Sequence, residues 1–121
     1  MKHYPVFRIM IHNDTDRYFG IGTFDLLKQI DQKKSVKEAA EAMGLSYSKS
    51  WKMLNHMEEA LQLQVLDRQQ GGPYGGSTEL TEDGKKFLES YEKMLGHIEY
   101  FLELEFQKQF GWLEKLEAND N

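Results

Sequence analysis

The chain has 121 residues, with 15 Lys and Arg against 20 Asp and Glu and a formal net charge of −5. That length suits one domain with a modest core, and no apolar run reaches membrane-spanning length. The opening residues, MKHYPVFRIMIHND, lack a signal peptide's apolar core and cleavage site, and the absence of cysteine excludes disulfides and thiolate metal sites, so a cytoplasmic chain is expected.

Residues 4–12, YPVFRIMIH, place Phe7, Ile9 and Ile11 on one face and predict a strand. Asn13-Asp14-Thr15-Asp16 predicts a turn, with a short return strand at Arg17-Tyr18-Phe19. After Gly20 and Gly22, the helical spacing of Phe24, Leu27 and Ile30 predicts a helix over 23–32, with Lys33-Lys34 as a linker.

The stretch Ser35 to Leu54, SVKEAAEAMGLSYSKSWKML, is the most informative in the chain. Ser35 and Glu38 form a capping box, and Ala39, Ala40 and Met43 share one face. Gly44 sits where a helix must stop with a positive φ. Ser46 can cap a second helix with apolar positions Tyr47, Trp51, Leu54, Met57 and Leu61. Small residues at 39 and 40 let two helices cross closely. This is the helix-turn-helix pattern, whose second helix reads the DNA major groove. The same pattern is open to an ordinary αα-hairpin.

Leu63, Val65 and Leu66 predict a strand, followed by the loop GGPYGGS at 71–77 and a return strand at Thr78-Glu79-Leu80. No GK[ST] follows the glycines and no helix begins there, which excludes a phosphate loop. A hairpin after a recognition helix is the wing of a winged helix, and wings touch phosphate or the minor groove. Thr81 then caps a helix expected to run to about Phe110 and restart after Gly111, with Glu82 and Asp83 at the positive end of its dipole. Its apolar residues make two stripes, one through Leu88, Tyr91, Leu95, Ile98 and Leu102 and another through Phe87, Met94, Phe101 and Phe110. A small domain cannot bury both, so these residues are expected to make a homodimer, unless the helix folds back on its own first strand.

Charge is unevenly spread. Residues 28–56 carry six lysines and three acids, whereas residues 57–121 carry six basic and fourteen acidic side chains. The basic excess sits on the proposed DNA-binding element, although solvated helix faces alone would give the same distribution. The expected fold is mainly α with small β (α+β), a winged helix-turn-helix with a long C-terminal dimerisation helix. The helix-turn-helix should span about 35–61, the wing about 63–80 and the C-terminal helix about 81–110, within one domain.

Ordered motifs support this reading: FGIGTFDLLKQID at 19–31, SVKEAAEAMGLSYSKSW at 35–51, Arg68, GGPYGGS and LTEDGKKFL at 80–88. Over about residues 5–110 the chain resembles the N-terminal DNA-binding domain of the ModE family of molybdate-responsive repressors. More distantly it is similar to the helix-turn-helix of LysR-type regulators. In the ModE family, Tyr and Trp recur in the recognition helix at the spacing of Tyr47 and Trp51. The resemblance implies a dimeric winged-helix transcription factor with double-stranded DNA as partner, no membrane and no cofactor. ModE proteins carry further domains that bind molybdate, and residues 111–121 are too few to form one, so no molybdate-binding domain is expected.

Base contacts are expected near the start of the second helix, from Ser46, Ser48, Lys49 and Lys52. Asn55 and His56 can reach the backbone. Tyr47 and Trp51 can touch DNA with their edges, though their spacing with Leu54 favours a structural role. Lys33, Lys34 and Lys37 can hold phosphate near the start of the preceding helix. Arg68, Gln69, Gln70 and Tyr74 belong to the wing. An enzyme is not expected. His3, His12, His56 and His97 are dispersed with no metal-ligand spacing, Glu58-Glu59 continue a solvated face, and no nucleophile motif is present. The remaining alternative is a winged-helix module that binds protein rather than DNA, which the acidic composition favours and Lys49 and Lys52 oppose.

Overall fold

The computed structural model describes residues 1–69 and 77–119. Element order is β1 (Ile11–His12), β2 (Arg17–Phe19), α1 (Ile21–Lys33), α2 (Val36–Ala42), α3 (Tyr47–Leu61), β3 (Leu66–Gln69), β4 (Ser77–Leu80) and α4 (Glu82–Asn119). Two antiparallel pairs, β1 with β2 and β3 with β4, make two small sheets. This is a winged helix-turn-helix, mainly α with small β. The chain divides into two compact units. One is Arg8–Tyr91, and the other combines Met1–Phe7 with the chain from Glu92 onward.

In the first unit, Leu26, Leu27 and Ile30 of α1, Ala39 and Ala40 of α2, and Leu54 and Met57 of α3 are buried in one core. Local chemistry sets the helix ends. Ser35 Oγ accepts from the Glu38 N–H at 3.1 Å. Gly44 takes φ +67°, and α2 ends with Leu45 N–H bonded to Ala40 O at 2.9 Å and Gly44 N–H to Glu41 O at 3.1 Å. This paired pattern, a Schellman turn, satisfies carbonyls the helix leaves open. At the wing, Leu66 pairs with Leu80 and Arg68 with Thr78. Leu66, Thr78 and Leu80 are buried, so this face of the hairpin turns inward. Thr78 N–H also bonds to the Lys34 carbonyl at 3.0 Å, tying the wing to the end of α1.

Thr81 makes the junction between wing and last helix. Its Oγ1 accepts from Gly84 N–H at 3.0 Å and donates to Gln64 O at 2.7 Å. Gly84 is required by contact: a Cβ there would collide with the Val65 carbonyl oxygen and reach Val65 Cγ1 at 3.1 Å.

An aromatic cluster closes the core. Phe19 meets both Phe87 and Tyr91 edge-on at 4.8 Å, and Phe24 lies 5.0 Å from Tyr91. Tyr91 OH donates to Ile9 O at 2.6 Å. Burial raises the Tyr91 phenol above its ordinary value, and the Asp25 carboxylate adds to the effect.

Three sequence expectations need correction. The strand over 4–12 shrinks to Ile11–His12, because among the described residues no strand pairs with those that precede it. The expected alternation nevertheless holds, with Phe7, Ile9 and Ile11 part-buried and Val6, Arg8 and Met10 exposed. The strand after α3 begins at Leu66, leaving Leu63 exposed. The last helix continues through Gly111 to Asn119, since one interior glycine costs only about 1 kcal/mol and does not break a helix. The hairpin tip GGPYGGS, with Gln70 and Tyr74, lies outside the described residues up to Ser77.

Two outcomes test this packing. Gly84→Ala should destabilise the protein by about 1–3 kcal/mol in urea unfolding, because backbone must move to admit the methyl group. Tyr91→Phe should cost about 1 kcal/mol by leaving the Ile9 carbonyl unpaired. The phenol's raised value in the folded state gives stability that is whole below its ordinary 10.0 and lost as pH rises through the folded value. Wild-type stability should therefore fall more steeply above pH 10 than that of the Phe variant. Parallel curves would contradict this account of Tyr91.

Candidate nucleic-acid interface

Helix α3 is amphipathic by construction. Ser46 Oγ caps it by accepting from Lys49 N–H at 3.1 Å, and Ser50 Oγ donates back to Ser46 O at 3.0 Å. Ser50, Leu54 and Met57 are buried and form the inward stripe. The opposite stripe, Ser48, Lys52, Asn55 and Glu59, recurs at three- and four-residue steps and is exposed, as are Lys49 and the Ser46 cap.

The two flanks of α3 differ. On the wing side, Glu58 Oε2 accepts from the N–H groups of Val65 and Leu66 at 2.8 and 3.2 Å, fixing the start of β3 to the helix. Trp51 lies on the same flank. The Arg68 guanidinium carbon stands 3.6 Å above its ring centre, and Tyr47 meets it edge-on at 6.2 Å. On the other flank, His56 Nε2 lies 3.1 Å from both the Arg17 carbonyl and the Asp16 carboxylate, so its N–H binds the β1–β2 hairpin. A cavity of about 340 Å³ opens there between Arg8, Arg17, Met53 and His56. The polar stripe of α3 is thus held between two hairpins and left open to solvent.

Residues 21–85 match the model for the bacterial regulatory helix-turn-helix protein, lysR family. The chain belongs to this family. Among curated relatives it is 33% identical over 67 residues to the transcriptional regulator ModE of Yersinia pestis, covering 55% of this chain and 26% of that protein. It is 31% identical over 67 residues to the DNA-binding transcriptional dual regulator ModE of Escherichia coli K12, with the same shares covered. The chain therefore spans about a quarter of the length of these relatives. Among solved structures, the crystal structure of the BenM DNA-binding domain in complex with benA site 1 DNA shares the fold. Its TM-score is 0.57 at 18% identity, covering 75% of this chain and 97% of that one.

In this lysR-family helix-turn-helix, Ser46, Tyr47, Ser48, Lys49, Lys52 and Asn55 lie on the exposed side of α3. Lys33, Lys34 and Lys37 are exposed around the end of α1 and the first turn of α2. Lys34 also approaches Asp31 at 3.5 Å and adopts the left-handed conformation that ends α1. Gln69 belongs to β3, but its side chain lies outside what is described. Tyr47, expected to pack, is 56% exposed, because the inward stripe runs through Ser50 instead. His56, expected to reach DNA backbone, is engaged with the hairpin. Glu58 supports the wing rather than extending a solvated face. Arg8 and Arg17 are basic groups beside α3 that sequence spacing gave no reason to include. Among the described residues, no group of three His, Asp or Glu could hold a metal ion, and no helix is long and apolar enough to cross a membrane.

Of the residues expected at a dimer face, Leu88 and Tyr91 are buried in the Arg8–Tyr91 unit, and Phe87 packs on Phe19. Their contacts are made within one chain. In the other unit, Met94, Leu95 and Leu102 are half-buried, whereas Ile98 and Phe101 are exposed.

Glu58→Ala tests the support on the wing flank. It leaves the N–H groups of Val65 and Leu66 without their acceptor and should cost about 1–3 kcal/mol in urea unfolding. Full retention of stability would show that β3 is anchored without it.

Proposed function

We propose that this chain is a cytoplasmic transcriptional regulator that binds double-stranded DNA as a homodimer, laying α3 of each copy in the major groove. The observation that carries this reading is the exposed α3 stripe. Its inward side is fully used by Ser50, Leu54 and Met57, so Ser46, Ser48, Lys49, Lys52 and Asn55 are free to meet a ligand. Lysine and asparagine supply donors for base edges and phosphates, and serine adapts to either. The local excess of lysine supports it within an acidic chain.

The dimer rests on the unit formed by Met1–Phe7 and the helix beyond Glu92. His3 lines a small cavity there together with Phe106, Phe110 and Leu113, so the N-terminal segment runs beside the helix. Ile98, Phe101, Trp112 and Leu116 recur at whole-turn separations and remain 40–65% exposed. Exposed apolar stripes of this kind are buried by association. The stripes read from the sequence divide by position instead: Phe87, Leu88 and Tyr91 at the start of the helix pack within the chain, whereas Ile98 and Phe101 further along are left for a second copy. A two-fold dimer presents two recognition helices, so the operator should be an approximate inverted repeat with half-sites one or more helical turns apart.

Lys49→Glu with Lys52→Glu should abolish binding to a duplex selected by the wild-type chain from a random pool, with helix content intact by circular dichroism. Single neutral substitutions should each lower the log–log salt slope by about 0.9 where the lysine meets a phosphate. Undiminished affinity in the double variant would exclude α3 as the reading helix, and a wild-type chain that selects no duplex would leave the protein-binding module. Ile98→Glu with Phe101→Glu should convert a sedimenting dimer to monomer. A wild-type chain that is monomeric at micromolar concentration would overturn the dimer and the palindromic site together.

A further inference from the structure

We infer that Trp51 is a positioning residue that turns Arg68 of the wing into an extension of the recognition helix, aimed at a DNA phosphate beside the groove α3 occupies. The inference deepens the proposed DNA binding and rests on it.

Strand alternation supplies the first step. Register puts Arg68 on the same side of the wing as the buried Leu66, Thr78 and Leu80 and opposite Asp67 and Glu79, although Arg68 itself is exposed at the rim of that side. That side of the hairpin faces the protein, so a charged residue there is kept only where it stays open to solvent or finds a partner. Here it meets the flank of α3, and its guanidinium carbon lies 3.6 Å above the Trp51 ring centre. At that distance the planar cation rests on the negative face of the indole. Stacking uses the face of the guanidinium and leaves its N–H donors at the edge free. Among the described residues no carboxylate pairs with Arg68, so its charge is available to an outside anion.

The platform is itself held from both sides. Trp51 projects from a helix whose neighbouring Ser50 and Leu54 are buried, and Tyr47 meets its ring edge-on from the preceding turn. Glu58, two turns on along the same flank, binds the start of β3. Tyr47, Trp51 and Arg68 therefore form one edge running from the exposed start of α3 to the base of the wing. A phosphate at the groove wall suits this edge, because base edges are reached from the outward stripe and the backbone lies to its side. A lone lysine at 68 would carry the charge without the stacked plane.

The test is a double-mutant cycle on DNA affinity in the full chain, using Trp51→Leu, Arg68→Gln and the pair, with a duplex selected from a random pool by the wild-type chain. Each single change should weaken binding about tenfold, and the pair should be little weaker than either alone. Arg68→Gln should lower the salt slope by about 0.9. Arg68→Lys, which keeps the charge, should still lose most of the affinity, and Trp51→Phe, which keeps a ring face, should restore much of what Trp51→Leu loses. In a Trp112→Phe background, Trp51 fluorescence of the free protein should change on Arg68→Gln, reporting the stack without DNA. Additive effects in the cycle, or wild-type affinity for Arg68→Lys, would overturn the inference while leaving DNA binding by α3 in place. A wild-type chain that selects no duplex overturns both. If Trp51→Leu fails to fold, Trp51→Met, which also removes the aromatic face, completes the cycle with Arg68→Gln.

Discussion

The close packing of α3 on α2 is the constraint on which the rest depends. Ala39 and Ala40 present almost no side chain, and both are buried. Against such a surface the inward stripe of α3 must be narrow at its first turns, and Ser50 meets this need by returning its hydroxyl to the helix backbone. The positive φ of Gly44 turns the chain sharply enough for the two helices to meet. Once that stripe is fixed, the angular position of every other α3 side chain follows from the helical repeat. The polar residues turn outward, Trp51 and Glu58 point to the wing, and His56 to the first hairpin.

Local features were legible in the sequence because each depends on a few adjacent residues. The caps at Ser35, Ser46 and Thr81 and the turn at Gly44 all stand where the spacing put them. Less legible was anything settled by a distant partner. The alternation over residues 5–11 was visible, but the missing neighbouring strand was not. Leu88 and Tyr91 fitted an intermolecular stripe by period alone, and only the positions of Phe19, Phe24 and Ile9 reveal that they belong to the core. The Arg68–Trp51 stack joins two elements with no shared periodicity, so neither residue announced the other. Glu58 was indistinguishable from Glu59 until β3 was placed beside it.

The electrostatic layout follows from the same geometry. The chain is acidic as a whole, yet the face that α3 leaves open carries Lys49 and Lys52, with Lys33, Lys34 and Lys37 exposed nearby. A ligand with dense negative charge would meet this region preferentially, and the acidic remainder would discourage indiscriminate adhesion elsewhere. Arg68, held on a ring rather than by a carboxylate, adds charge without its being cancelled locally.

The hydrogen bond from Thr78 N–H to the Lys34 carbonyl bears on the order of assembly. It joins the two ends of a stretch that contains α2, α3 and the first wing strand. Those helices are stabilised by near neighbours and can form early. Closing the stretch requires distant segments to meet, and its entropic cost falls before the contact rewards it. Ring closure at Lys34, rather than helix growth, should therefore set the pace of folding.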